Sequence, residues 1–193
     1  MTNIQSQKQP TKPPVSPRLS IGEMMRQGRG LWGGDSKLTL PALCGDFTMR
    51  INKKGQWFYQ NSPIGRLQLC QLFAVCLVRQ GDEYFLATPA EKGKIEVEDL
   101  PFYGILVDIY GDGSKNIMVK SSLDFWVMID KNHPLTVCHH NDQPRPILRV
   151  RDNLDMLLSP SVFYDLANYA LSHNQYHNKK LFIESGHEKF YLE

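Results

Sequence analysis

No apolar run in this chain approaches the roughly 18 residues that a membrane-spanning helix needs, so no membrane span is expected. The amino-terminal stretch MTNIQSQKQPTKPPVSPR has no apolar centre of the kind a secretory signal carries, and the expected location is cytoplasmic. Cysteine is scarce. Cys44, Cys70, Cys76 and Cys138 form no CxxC pair and no dense framework, which points to reduced thiols. Catalytic signatures are also missing: there is no GxSxG, no HExxH, no P-loop and no HxE with CxxC. GDGSK at Gly111–Lys115 lacks the spacing of a phosphate loop, and it falls where a hairpin turn is expected.

What is present is ordinary for a folded protein. The chain has 193 residues, 41% hydrophobic and 22% charged, enough for one domain or two small ones with a buried core. Charge is unevenly placed. Residues 1–34 carry five basic side chains against one acid, net +4, and the rest carries seventeen against nineteen, net −2. A basic tail on a slightly acidic body argues against a dedicated nucleic-acid surface. Gly28, Gly30 and Gly33 fit GxGxxG, but no strand precedes them and no helix is expected after them, so the match is read as chance.

Taken in order, residues 1–18 lack apolar periodicity and are expected to be disordered. A short helix over Ser20–Arg29 is expected, because Ser20 and Glu23 have capping-box spacing. Phe47, Met49 and Ile51 alternate with Thr48 and Arg50, the pattern of a half-buried strand. Asn52 to Gly55 supplies a turn, and Gln56 to Gln60 a returning strand. Ser62-Pro63 reads as N-cap and first residue of a helix whose apolar stretch is Leu67–Val78; so apolar a helix should be covered on nearly all sides. Strands follow at Tyr84–Thr88 and from Ile95. Further strands are expected at Gly104–Tyr110, Asn116–Ser121, Phe125–Ile129 and Leu135–His139, with a polar, proline-rich loop at 141–146. The opening pattern then returns: strand ILRVR from Ile147, turn Asp152-Asn153, Ser159-Pro160, a helix through Leu171, and a hairpin over Leu181–Leu192. An internal duplication is expected on that order.

The segments CGDFTMRI, WFYQNSPIGR, ATPAEKGKIEVEDLPF, DKNHPL, RPILRVRDNL and VFYDLA resemble the bacterial domain-of-unknown-function family 1285. They span most of the chain from Cys44 to Ala170. The resemblance implies a duplicated core with a C-terminal half loosely like pleckstrin-type folds. It also implies a ligand site where the halves meet, for a nucleotide-like molecule in signalling.

The fold class expected is α+β: a flexible basic tail over residues 1–35, an α+β domain over 36–102, and a β-rich α+β domain over 103–193. The candidate ligand residues are Asp46, Arg50, Tyr59, Arg66, Lys92, His133, Arg149 and Arg151. Arg50 and Arg149 sit at comparable points of the two hairpins and Arg151 shares a face with Arg149, so converging guanidiniums would suit phosphate or carboxylate. The alternative is pairing with Asp46, Asp152 and Asp155. Tyr59, Trp57 and Arg66 offer stacking, or else hairpin packing and an exposed first-turn charge. Lys92 meets a ligand or closes an internal ion pair, and His133 is a turn residue or a general base. His173, His177 and His187 lack the partners of a metal site, and no metal or cofactor is expected. The leading expectation is a non-enzymatic protein that binds an anionic ligand between its halves. A protein-interaction or adaptor module for a signalling protein partner, and a hydrolase using His133, are the alternatives.

Overall fold

The computed structural model describes residues 42–111, 115–141 and 143–193. The expected tail, the Ser20–Arg29 helix, the glycine triplet and most of the Gly111–Gly113 turn lie outside the described residues.

Strand β1 (Leu43–Ile51) buries Met49 and Ile51 and leaves Thr48 exposed, as its alternation predicts. It pairs antiparallel with β2 (Trp57–Tyr59), placing Ile51 opposite Trp57. The Asn52–Gly55 turn between them is tight because Asn52 Oδ1 accepts the N–H groups of Lys54 at 2.9 Å and Gln56 at 3.0 Å. Gly55 takes φ +70° there.

Ser62-Pro63 does not open a helix. It forms β3 (Ser62–Pro63), paired to β2, and the Ile64 N–H donates to the Trp57 carbonyl at 2.8 Å. Proline tolerates this edge because its missing N–H leaves no ladder bond broken. Helix α1 (Leu67–Cys76) starts after Arg66, whose side chain supplies no cap. It is also shorter than its apolar run. Leu77–Gln80 becomes β4, turns at Gly81 and pairs with β5 (Glu83–Ala87), Val78 opposite Phe85. Sheet pairing therefore overrides the helical continuation. Nor is α1 wrapped: Cys70, Ala74, Val75 and Cys76 are buried, while Leu67 and Leu72 are 38% and 39% exposed. Strand β6 (Lys92–Val97) completes a six-stranded sheet ordered β3-β2-β1-β6-β5-β4. Its Ile95 is buried, with Lys94 and Glu96 exposed, as the alternation predicts.

The second sheet begins at Phe102, the residue the sequence reading set last in the first half. Its strands are β7 (Phe102–Tyr110), β8 (Asn116–Ser121), β9 (Trp126–Met128), β10 (Leu135–His140), β11 (Gln143–Arg151) and β12 (Leu154–Leu158), ordered β10-β11-β12-β7-β8-β9. Pro144 and Pro146, read as loop, lie inside β11 opposite His139 and Val137. Helix α2 (Pro160–Ser172) does begin at Ser-Pro: Ser159 Oγ accepts the Val162 N–H at 3.3 Å, and Val162, Leu166 and Ala170 are buried. A small third sheet follows: β13 (Tyr176–His177), β14 (Lys180–Ser185) and β15 (Glu188–Tyr191).

The described residues are thus mostly β, two six-stranded sheets in tandem with two helices and the small third sheet. The hairpin, helix, hairpin order recurs, but the topologies differ. After α1 the chain rejoins its own sheet through β6, parallel to β1; after α2 it builds the separate small sheet. Each large sheet has one parallel pair at its centre, β1 with β6 and β12 with β7. Buried apolar side chains of both halves make one continuous core, including Trp57, Leu77, Phe102, Phe125 and Leu154. Phe102 and Phe125 meet edge-on at 5.4 Å between ring centroids. Among the described residues no helix is long and apolar enough to cross a membrane.

Candidate functional site

A groove of about 630 Å³ opens where the two halves meet. The Asn52–Gly55 turn brings Lys53 and Lys54 to one rim. That turn is fixed against the second half, because a Cβ on Gly55 would lie 3.1 Å from Tyr103 Cβ and 3.2 Å from Ser122 Oγ. The Lys53 N–H also donates to Glu98 Oε2 at 3.2 Å. The opposite rim comes from β10 and β11, with His140, Gln143, Pro144, Arg145 and Pro146. Tyr103 of β7, Leu157 and Leu158 of β12, and Pro160, Phe163 and Tyr164 of the first turns of α2 make the apolar and aromatic wall.

Its electrostatics are simple. Lys53 and Lys54 are exposed, and their ammonium groups have no partner among the described residues. Asp99, in the link between β6 and β7, accepts a hydrogen bond from Arg145 Nη2, and this contact holds the Arg145 pKa above its ordinary value. Two unpaired ammonium groups, an arginine and three aromatic rings can together receive an anion attached to a flat ring.

None of the eight residues singled out from the sequence lines this groove. Asp46 and Arg50 line a different, more polar recess of about 410 Å³, together with Thr48, Met49, Gln60, Asn61 and Glu96. Asp46 Oδ1 accepts the Thr48 N–H at 2.6 Å, and Thr48, Gln60 and Asn61 all take positive φ. Arg50 forms an ion pair with Glu98 and lies 4.2 Å from the Phe58 ring centroid. Arg149 pairs with Asp155 and donates to the Asp152 carbonyl at 2.7 Å. Each of these arginines is thus held within its own half, and they do not converge on one cleft. Pairing is cheaper than leaving either charge half-buried and alone.

Tyr59 is 49% exposed on β2. Arg66 is exposed ahead of α1, its carbonyl accepting the N–H groups of Leu69 and Cys70. Lys92 donates to the neutral Gln80 Oε1 and lies 4.2 Å from the Phe85 ring centroid, an internal contact that is a hydrogen bond and a cation–π approach and not the expected ion pair. His133 sits in a turn: Asp130 Oδ1 accepts the N–H groups of Asn132 and His133, both at 2.8 Å, and lies 3.0 Å from His133 Nδ1.

Arg151 is the one that joins the halves. Its Nη2 donates to the carbonyls of Ala74 at 2.7 Å and Leu77 at 3.1 Å, the open C-terminal end of α1. Burial pushes its pKa down to about 10, with Asp152 and Cys76 opposing. It is part of the interface, as are the Gln71 amide donating to the Leu123 carbonyl at 2.9 Å and Asn153 donating to the Arg79 carbonyl at 3.2 Å.

Sequence reasoning missed Lys53, Lys54 and Arg145. Sequence pattern alone assigns the two lysines to a turn and the arginine to a proline-rich loop. A pair of lysines at a turn tip next to a glycine was the only available signal, and it says nothing about what faces it.

The comparisons with known proteins agree with this architecture. The model described as "Domain of unknown function (DUF1285), N-terminal domain" matches residues 37–100. That described as "Protein of unknown function (DUF1285), C-terminal domain" matches residues 101–192. A solved DUF1285 family protein from Silicibacter pomeroyi DSS-3 is 27% identical with a TM-score of 0.74, over 90% of this chain and 94% of that one. Another, from Shewanella baltica OS155, is 26% identical with a TM-score of 0.50, over 62% of this chain and 90% of that one. No curated protein matches the chain. With both of its halves matched in order, the chain belongs to the DUF1285 family.

Proposed function

We propose that this chain is a non-enzymatic, cytoplasmic binding protein whose inter-half groove takes an anionic, nucleotide-like ligand in a signalling role. One observation carries the reading: Lys53 and Lys54 of the first half, unpaired among the described residues, border the same groove as Arg145 and the Tyr103, Phe163 and Tyr164 rings of the second. A ligand bridging them would report its presence to both halves, which is what a sensor requires. The C-terminal half is read as loosely pleckstrin-like, on the strength of a β-rich sheet followed directly by a helix.

The test is calorimetric titration of the full chain with ADP. Binding is expected in the wild type, weakened about tenfold or more in Lys53→Ala/Lys54→Ala, because each charged hydrogen bond contributes about 1.5–3 kcal/mol. Arg50→Ala is expected to leave the affinity unchanged. Equal affinity in the wild type and the lysine variant overturns the assignment of the groove.

A second reading, a protein-interaction module, is favoured by Ile105, Leu106 and Tyr110 of β7, which are 47%, 50% and 46% exposed. A stoichiometric partner lost in Leu106→Glu and indifferent to Lys53→Ala/Lys54→Ala would select it.

A further inference from the structure

Arg145 is the groove's best-suited anion receptor, and it is already occupied. Its partner Asp99 lines the same groove, and both side chains are largely withdrawn from water, 17% exposed for Asp99 and 27% for Arg145. Lys53 and Lys54, by contrast, stand exposed and unpaired at the rim among the described residues. An incoming anion therefore meets two free ammonium groups first and an internally neutralised guanidinium behind them.

Resting on the reading that the groove takes an anionic ligand, we infer that Asp99 is a charge gate: it holds Arg145 in the ligand's place and admits only multiply charged anions. A carboxylate tethered in the same chain competes at an effective concentration on the order of mM or above. A ligand with one negative charge exchanges one ion pair for another on Arg145 and leaves Asp99 unpaired and half-buried, so it gains little. A ligand with several charges engages the lysines at the same time, and those contacts offset the displacement of Asp99. Specificity then comes from a built-in competitor as much as from attraction.

The experiment compares two probes with the same ring and different charge, ADP and cyclic AMP, the latter a monoanion, by calorimetry on the full chain. Wild type is expected to bind ADP about tenfold or more tightly than cyclic AMP. Asp99→Asn is expected to tighten both probes by a similar factor and so bring cyclic AMP to a readily measured affinity, with Asp99→Ser as the second variant and circular dichroism as the check of folding. In an Arg145→Gln background the Asp99→Asn effect is expected to vanish, because the gate acts through the pair.

Weaker binding of both probes in Asp99→Asn overturns the gate and makes Asp99 a positioning residue for Arg145. No gain for either probe overturns it; a larger gain for ADP than for cyclic AMP, or the same gain without Arg145, overturns it in favour of plain repulsion, while ADP binding itself keeps the groove reading intact. No binding of either probe by any form overturns both.

Discussion

Arg151 of β11 donates to the main-chain carbonyl of Ala74 at 2.7 Å, so a cation from one half closes the C-terminus of the other half's helix. The same guanidinium reaches the Leu77 carbonyl, where α1 becomes β4, and lies 5.8 Å from the Phe102 ring centroid at the start of the second sheet. One side chain thus ties three elements together at the junction. A half-buried guanidinium with two carbonyl acceptors is tolerated because its desolvation is offset by charge-assisted bonds to a helix end that carries negative partial charge.

Removing it is expected to cost more than an ordinary surface change. Arg151→Ala leaves the Ala74 and Leu77 carbonyls without their cationic donor, and a loss of about 2–4 kcal/mol follows from charged hydrogen bonds of this kind. Arg151→Lys keeps the charge but not the planar fork and is expected to lose less, about 1–2 kcal/mol. Urea unfolding measures both. A loss under about 0.5 kcal/mol in Arg151→Ala, the range of ordinary surface changes, would show that the junction does not depend on this contact.

The two Ser-Pro dipeptides are expected to behave differently under the same substitution. Ser159→Ala removes a real cap from α2 and should lower stability by about 1 kcal/mol. Ser62→Ala sits in a two-residue edge strand and should change stability by less than about 0.5 kcal/mol. Thermal unfolding of the two variants side by side decides the matter, and equal losses would contradict the different roles of Ser62 and Ser159.

Thiol reactivity and alkaline stability should move together. Burial pushes the Cys70 and Cys76 thiols above their ordinary value of 9.0, with Arg151 opposing at Cys76, and burial likewise raises the Tyr84 phenol. The unfolded chain releases these protons near the ordinary values while the folded chain keeps them. Their contribution is therefore complete below about pH 9 and declines as pH rises through the folded-state values. The urea midpoint is expected to fall between pH 8 and about pH 10, and less so in Cys70→Ala/Cys76→Ala. A thiol-specific reagent should label the exposed Cys44 and Cys138 quickly and the buried pair slowly. Four equal rates would contradict the burial.

Much of the local structure was legible because its cause is local. Met49 and Ile51 face the core because strands alternate, and Ser159 caps α2 because Ser-Pro there opens an amphipathic helix; the sequence points to Phe163, Leu166, Ala167 and Ala170 as its apolar stripe, while the fully buried residues are Val162, Leu166 and Ala170. Where local signals conflicted, pairing decided. Ser62-Pro63 carried the same cap signal but had Tyr59 and Phe58 within reach as strand partners, and Leu77–Gln80 left the helix for β5. The candidate site was the least legible part. The arginines were conspicuous by residue type, yet Glu98 and Asp155 hold two of them and the end of α1 holds the third.

By itself, the sequence determined the run of strands and helices over most of the described chain, the hairpin, helix, hairpin order in both halves, and the absence of GxSxG, HExxH and P-loop signatures. Each follows from periodicity, turn chemistry or residue type, which are properties of short stretches. The tertiary structure alone decided that Phe102 opens the second sheet, that the two halves share one core, and that Lys53, Lys54, Asp99 and Arg145 border one groove. Those residues are up to 92 positions apart, between Lys53 and Arg145. Only the packing of the Asn52–Gly55 turn against β7 brings them together, and no local pattern encodes which surface a turn will meet.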